Sequence, residues 1–224
     1  FILETAEKYL EKPPKHKDIL SVFVGIRPLV KSENAKNTAA LSRDHTIEID
    51  DSDLLTITGG KWTTYRKMAE DAINQAIKLA KLPEKKCVTE NLEIHGFYDF
   101  AAKQPTVKAD GSDFSIYGAD AENIQNLIKE NSELAEILHE NLPYRKAEII
   151  WAIKYEMART IEDVLARRTR ALFLNARVAV EIAPKVAEIM AKELGRDKYW
   201  IEGQINIFNK TAERYIFNQE KSLE

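Results

Sequence analysis

"LLTITGGKWTTYRKMAEDAI", residues 54–73, decides how the chain is read. A β-branched run ends at Gly59-Gly60, and Lys61 follows at once. The β-branched residues predict a strand running into the glycines. Tyr65, Ala69, Ala72, Ala76 and Leu79 then recur at helical spacing, which predicts a helix from about Thr64 to Lys81. Thr63 or Thr64 offers an N-cap hydroxyl, and Pro83 ends the helix. Glycine lets backbone approach a ligand closely. First-turn amides and the helix dipole favour negative charge. Lys61 adds a mobile cation. The spacing is neither that of a Walker loop nor that of the G-x-G-x-x-G dinucleotide fingerprint. Two readings therefore stand: a loop for an anionic or electron-rich ligand, or a tight turn with an exposed lysine.

Upstream, "ILSVFVGIRPLV" (19–30) predicts a buried strand with Arg27 at its end, just before Pro28. "HTIEID" (45–50) alternates as a half-buried strand, with Arg43 just before it. Taken singly, each arginine is a surface charge or half of an ion pair. Arg27, Arg43 and Lys61 nevertheless all lie at strand edges, where open α/β sheets bind ligands. Three converging cations suit a phosphate, and arginine offers it bidentate hydrogen bonds. Three strands alone do not cover a core, so they predict part of a larger sheet.

"LETAEKYLE" (3–11) reads as a short helix before Pro13-Pro14. Residues 83–116 are mixed, with a turn at "ADGSD", and a domain boundary is expected near 95–115. Everything after it reads as helix. Asp120 caps one segment, and Ser132 caps another bearing Leu134, Ile137 and Leu138. Ile149, Ile150, Ile153 and Met157 form an apolar stripe. Thr160–Asp163 has capping-box spacing and predicts a helix carrying Val164, Leu165, Leu172 and Val178. Pro184 opens or kinks the next helix, Gly195 stops it, and the last helix starts near Asp197.

The net charge of −3 gives no whole-molecule attraction to nucleic acid. "LARRTR" (165–170) invites that reading locally, but Glu162, Asp163 and Glu181 nearby favour a solvated, ion-paired face. One cysteine, Cys87, makes an internal disulfide impossible and fits a reducing compartment as a plain thiol. His16, His45, His95 and His139 lack metal-ligand spacing, so no metal is expected. No apolar run reaches membrane-spanning length, and no signal peptide is visible. The start at Phe1 and the ending "KSLE" are those expected of a piece of a longer protein.

"GIRPLV", "LSRDHTI", "LLTITGGKWTTYRKMAEDAI" and "ARRTRALFLN" together resemble FAD-dependent glycerol-3-phosphate dehydrogenase. The likeness is to the carboxy-terminal part of the bacterial aerobic and mitochondrial forms. It extends from about Asp18 to Tyr215 and is weakest over 84–116. The resemblance implies oxidation of sn-glycerol 3-phosphate to dihydroxyacetone phosphate, with hydride passing to flavin and electrons to quinone. A glycerol-3-phosphate oxidase, which passes electrons to oxygen, is the alternative within the class. By position, Arg27, Arg43 and Lys61 correspond to substrate-binding cations. Gly60, Lys61, Trp62 and Thr63 correspond to backbone along the flavin's pyrimidine edge and ribityl chain. No catalytic residue is implied here: the family's histidine near the substrate hydroxyl and its GxGxxG fold belong to an amino-terminal part that this sequence lacks. This stretch alone is therefore expected neither to hold FAD tightly nor to turn over.

The fold class expected is α+β and mainly α. Residues 1–95 are the carboxy-terminal part of the FAD/substrate domain, 96–116 a linker, and 117–224 an all-α carboxy-terminal domain. The partners implied are the substrate, quinone, the missing FAD domain and a homodimer mate, with no nucleic acid. The family's use of quinone implies a cytoplasmic protein held peripherally at the inner face of the cell membrane. From a different class, residues 117–216 read as a helical interaction or dimerisation module without catalysis of its own.

Overall fold

A computed structural model describes residues 1–26, 44–97 and 114–218. Arg27 and Arg43 lie outside the described residues. The chain divides into two compact units, residues 25–95 and residues 1–24 together with 96–224. The mainly helical α+β class is as the sequence leads one to expect.

In the smaller unit, β1 (His45–Ile49) pairs antiparallel with β2 (Leu55–Gly59), His45 opposite Gly59 and Ile49 opposite Leu55. Asp50 makes the turn between them. Its Oδ1 accepts from Ser52 N–H at 2.8 Å, Ser52 Oγ at 2.6 Å and Leu54 N–H at 3.0 Å. Such short-range bonds from an Asp side chain replace backbone turn bonds and tolerate the left-handed Asp53 that follows. A single tight turn, Trp62–Thr64, leads into α2 (Tyr65–Leu79). No described residue of this unit is buried. The outer apolar stripe of α2 is open to solvent, with Tyr65 51% and Ile73 59% exposed.

The larger unit begins with a short helix, α1 (Ile2–Glu7). Residues 19–26, expected as a buried strand, form none, and Val24 is 95% exposed. A strand needs a ladder partner, and here the backbone bonds to helical segments instead. Leu20 O accepts from Ala176 N–H at 3.0 Å, and Val22 N–H donates to Tyr215 O at 2.8 Å. Ser21 Oγ donates to Leu172 O at 2.9 Å. Phe23 meets Phe173 edge-on at 5.2 Å, and Phe173 meets Tyr215 in the same way at 5.3 Å.

Next comes α3 (Ala121–Glu130), with Asp120 at its N-cap position. The helix expected from Ser132 is only one turn, Ser132–Ala135. A hairpin replaces the rest: β3 (Ile137–His139) and β4 (Leu142–Arg145), with His139 opposite Leu142. The carboxy-terminal part is therefore not all-α. Pro143 lies in β4, where a short two-stranded edge accepts a residue without an N–H donor.

The helix α4 (Lys146–Tyr155) lies between two apolar clusters, so it is buried nearly all round. Ile149, Ala152 and Ile153 face the main core with Leu172, Val186, Met190 and Phe208. Ala147 and Trp151 face a smaller one with Phe114 and Ile124.

The Thr160–Asp163 box forms as expected: Asp163 Oδ2 accepts from Thr160 N–H at 3.0 Å, and Asp163 N–H donates to Thr160 Oγ1 at 3.1 Å. The helix it opens does not continue to Val178. Residues Asp163–Arg168 wind as a π-helix, and Arg170 turns left-handed at φ 60°. After the short α5 (Ala171–Leu174), Asn175 Oδ1 caps α6 (Ala176–Leu194) by accepting from Val178 N–H at 3.2 Å. That cap, not Pro184, starts the helix, and Pro184 sits inside it. Gly195 ends α6 at φ 63°, and Asp197 caps α7 (Lys198–Ala212) by accepting from Trp200 N–H at 2.9 Å.

Candidate functional site

The glycine loop connects β2 to α2, and both its glycines stand at φ +77°. That conformation is strained for any residue with a side chain. At Gly60 a side chain would also require the flexible end of Met68 to move aside. A Cβ there would lie 2.5 Å from Met68 Sδ and 3.3 Å from His45 Cβ. The loop is tied back to the hairpin by Gly60 N–H, which donates to Asp44 O at 3.3 Å.

Lys61 begins the helical turn. Its N–H donates to Thr64 Oγ1 at 3.3 Å, and Thr64 Oγ1 donates to Lys61 O at 2.9 Å. Thr64 stands at the N-cap position of α2, but its hydroxyl folds back onto Lys61 and accepts from no helix amide, so neither Thr63 nor Thr64 caps through its side chain. Lys61 is exposed, and the Trp62 indole is 87% exposed, stacked on Tyr65 at 5.6 Å between ring centres. The amides of Trp62 and Thr63 open the helical run, where donors have no intrahelical acceptor. Glycine backbone, a cation, an aromatic face and helix-start amides therefore share one short loop.

A network of charges on α2 supports it. His45 Nε2 lies 3.2 Å from Asp71 Oδ2, and Lys67 Nζ lies 2.9 Å from Asp71 Oδ1. Arg66 Nη1 pairs with Glu70 at 2.9 Å. The hydrogen bond from Lys67 holds the Asp71 carboxyl below its ordinary range, with His45 adding to the effect. Sequence reading did not single out Asp71 or Met68. It considered His45 only as a metal ligand. The one signal was spacing: His45 starts the strand that pairs with the glycines, and Asp71 stands one helical turn after Lys67.

Of the expected site residues, Gly60, Lys61, Trp62 and Thr63 are consecutive at this strand end. Arg27 and Arg43 lie outside the described residues, so no distance connects them to Lys61. A cavity of about 540 Å³ opens elsewhere in the same unit, between α2 and residues 84–87. It shares no residue with the glycine loop. Cys87 lines it, with Sγ 3.1 Å from Thr89 Oγ1, and that hydrogen bond lowers the thiol's pKa. Among the described residues no His/Cys/Asp/Glu group is arranged to hold a metal ion.

The arginines of 165–170 are engaged within the larger unit. Arg167 pairs with Glu162 at 2.6 Å and Asp163 at 3.0 Å, and Arg168 Nε donates to Glu156 O at 3.0 Å.

The sequence profile of the C-terminal domain of alpha-glycerophosphate oxidase matches residues 87–200, just over half of the chain. The chain belongs to that family. Similar curated proteins include the rat mitochondrial glycerol-3-phosphate dehydrogenase (Rattus norvegicus), 36% identical over 97% of this chain and 31% of its own length. A probable mitochondrial glycerol-3-phosphate dehydrogenase of Caenorhabditis elegans is 37% identical over 87% of this chain and 29% of its own. The human mitochondrial glycerol-3-phosphate dehydrogenase is 35% identical over 97% and 31%. The chain thus spans about a third of the length of these relatives. Among the described residues no helix is long and apolar enough to cross a membrane.

Proposed function

We propose that this chain supplies the substrate-side part of an FAD-dependent glycerol-3-phosphate dehydrogenase. Residues 25–95 belong to its flavin and substrate domain and residues 117–224 to its carboxy-terminal domain, into which residues 19–23 are also bound. The observation that carries the reading is the Gly59-Gly60-Lys61-Trp62 loop, left-handed at both glycines and opening directly into a helix. In a chain similar to named glycerol-3-phosphate dehydrogenases over 97% of its length, such a loop suits an anionic, planar ligand. Gly60 and the Trp62 and Thr63 amides suit the edge of a flavin, because Gly60 carries no side chain and the amides that open a helix have no intrahelical acceptor.

When bound, FAD supplies the acceptor for the hydride that leaves C2 of sn-glycerol 3-phosphate, and the electrons continue to quinone. The chain's own residues bind and orient. Lys61, exposed at the head of the turn, would supply a positive charge to the substrate. Arg27 and Arg43 grip the substrate phosphate, which holds C2 at reacting distance and lowers the entropic part of the barrier. The helix start stabilises negative charge developing on the flavin's pyrimidine side. Use of quinone places the protein peripherally at a membrane face.

The test is Arg27→Ala in a protein carrying this chain with a complete dinucleotide-binding domain. Turnover with glycerol 3-phosphate falls by at least a hundredfold while flavin absorbance per protein is unchanged. An unaltered rate removes Arg27 from the substrate site. The profile's own description favours a second reading, an oxidase that uses oxygen. Stoichiometric peroxide in the same assay selects it.

A further inference from the structure

We propose that His45 and Asp71 are positioning residues that clasp the glycine loop and set its pitch against the flavin. The inference rests on the reading above, because it assumes that the loop faces that cofactor. The loop has two ends. The strand end is held by the β1–β2 ladder, with His45 opposite Gly59, and by the bond from Gly60 N–H to Asp44 O at 3.3 Å. The helix end has no ladder. Its cross-tie to β1 is the 3.2 Å contact between His45 Nε2 and Asp71 Oδ2, with both side chains largely shielded at 20% and 31% exposure. Asp71 is itself oriented by Lys67, whose Nζ lies 2.9 Å from the other carboxylate oxygen.

The clasp closes a ring: β1, the glycine turn, the first two turns of α2, and back to β1 through Asp71. Gly60 sits inside this ring between His45 Cβ and the Met68 thioether. Opening the ring lets α2 swing about the two glycines, whose backbone offers little resistance of its own. The Trp62 and Thr63 amides then lose their fixed direction. Preorganised donors stabilise developing charge only while they stay aimed at it. Neither His45 nor Asp71 needs to touch substrate or cofactor for this to operate.

The experiment uses the flavin-loaded protein carrying this chain, with His45→Ala, His45→Gln, Asp71→Ala and Asp71→Asn. Two readouts are taken: hydrogen exchange at the Gly60 amide, and the flavin midpoint potential by spectroelectrochemistry. In both alanine variants exchange accelerates at least tenfold. Flavin reduction becomes about tenfold less favourable, which is a shift of about 30 mV for a two-electron couple. Gln and Asn keep a hydrogen bond across the clasp and restore most of both. Unchanged exchange in the alanine variants overturns the clasp, whatever the potential does. Faster exchange with an unchanged potential overturns the placement of the loop beside the flavin, and the inference with it. If an alanine variant does not fold, the Gln and Asn variants still decide: the clasp predicts a small shift in both readouts in the same direction, and a shift in neither overturns it.

Discussion

Tyr117 Oη donates a 2.9 Å hydrogen bond to Glu148 Oε1, and Arg145 N–H donates to the other oxygen at 2.7 Å. Glu148 is 3% exposed, at the start of α4 and beside the smaller core. Burial pushes its carboxyl up to about 7 despite both donors, and burial together with Glu148 pushes the Tyr117 phenol up as well. An unfolded glutamate titrates near 4.3. The folded state therefore holds the proton more tightly. The stability linked to this group is fully present below about pH 4 and is lost as pH rises through about 7. The amount is roughly 4 kcal/mol at most. Glu148→Gln keeps an acceptor for Tyr117 without the charge. Its stability relative to wild type should rise between pH 5 and pH 8 by about 1–3 kcal/mol. Urea denaturation at the two pH values checks this, and a pH-independent difference contradicts it.

Gly118 should not tolerate alanine. It stands at φ +56°, and a Cβ there would lie 2.0 Å from the Gly96 carbonyl oxygen. That oxygen also accepts from Ala119 N–H at 3.1 Å, so relief of the clash breaks the bond beside it. A backbone atom cannot rotate aside as a side chain can. Gly118→Ala should cost about 2 kcal/mol or more, from strain and a lost hydrogen bond. Near-ultraviolet circular dichroism of Trp151 and Tyr117, together with denaturation, reports it.

Asp163→Ala removes the acceptor for Arg159 N–H and Thr160 N–H, both at 3.0 Å, and for Thr160 Oγ1 at 2.9 Å. It also removes a partner of Arg167. The expected loss is about 1–2 kcal/mol, because Asp163 is the returning half of the capping box with Thr160. Asp163→Asn retains an acceptor oxygen and should recover about half of it. A thermal melt that is unchanged in both would show the cap to be dispensable.

Some helix boundaries set by capping chemistry were legible in the sequence, although Asn131 and Asn175 cap where Ser132 and Pro184 were expected. Asp163 and Asp197 each stand where hydroxyl or carboxylate spacing points, and Gly195 stops α6 because only glycine enters the left-handed region freely. The β3–β4 hairpin was not legible, because Leu134, Ile137 and Leu138 satisfy a helical stripe equally well. Short apolar runs do not separate the two periods. The misread 19–26 run has another cause. Val22 and Phe23 have the composition of a strand, but their partners lie on α5 and just beyond α7 and were invisible locally. At the candidate site the glycine pair and Lys61 announced themselves. The His45–Asp71 contact spans a turn, a strand and a helix, and no local pattern encodes it.

Ser21 reaches Leu172 across 151 residues of sequence and Tyr215 across 194. Closing loops of that size is entropically slow, and contacts so far apart in sequence delay folding. The strap at 19–23 can settle only after α5 and α7 have emerged from the ribosome and packed. Until then Ser21 and Val22 lack their hydrogen-bond partners and Phe23 lacks the Phe173 ring that it meets edge-on. For the same reason, a domain boundary drawn at residue 96 for separate expression would cut the larger unit off from its own first strap.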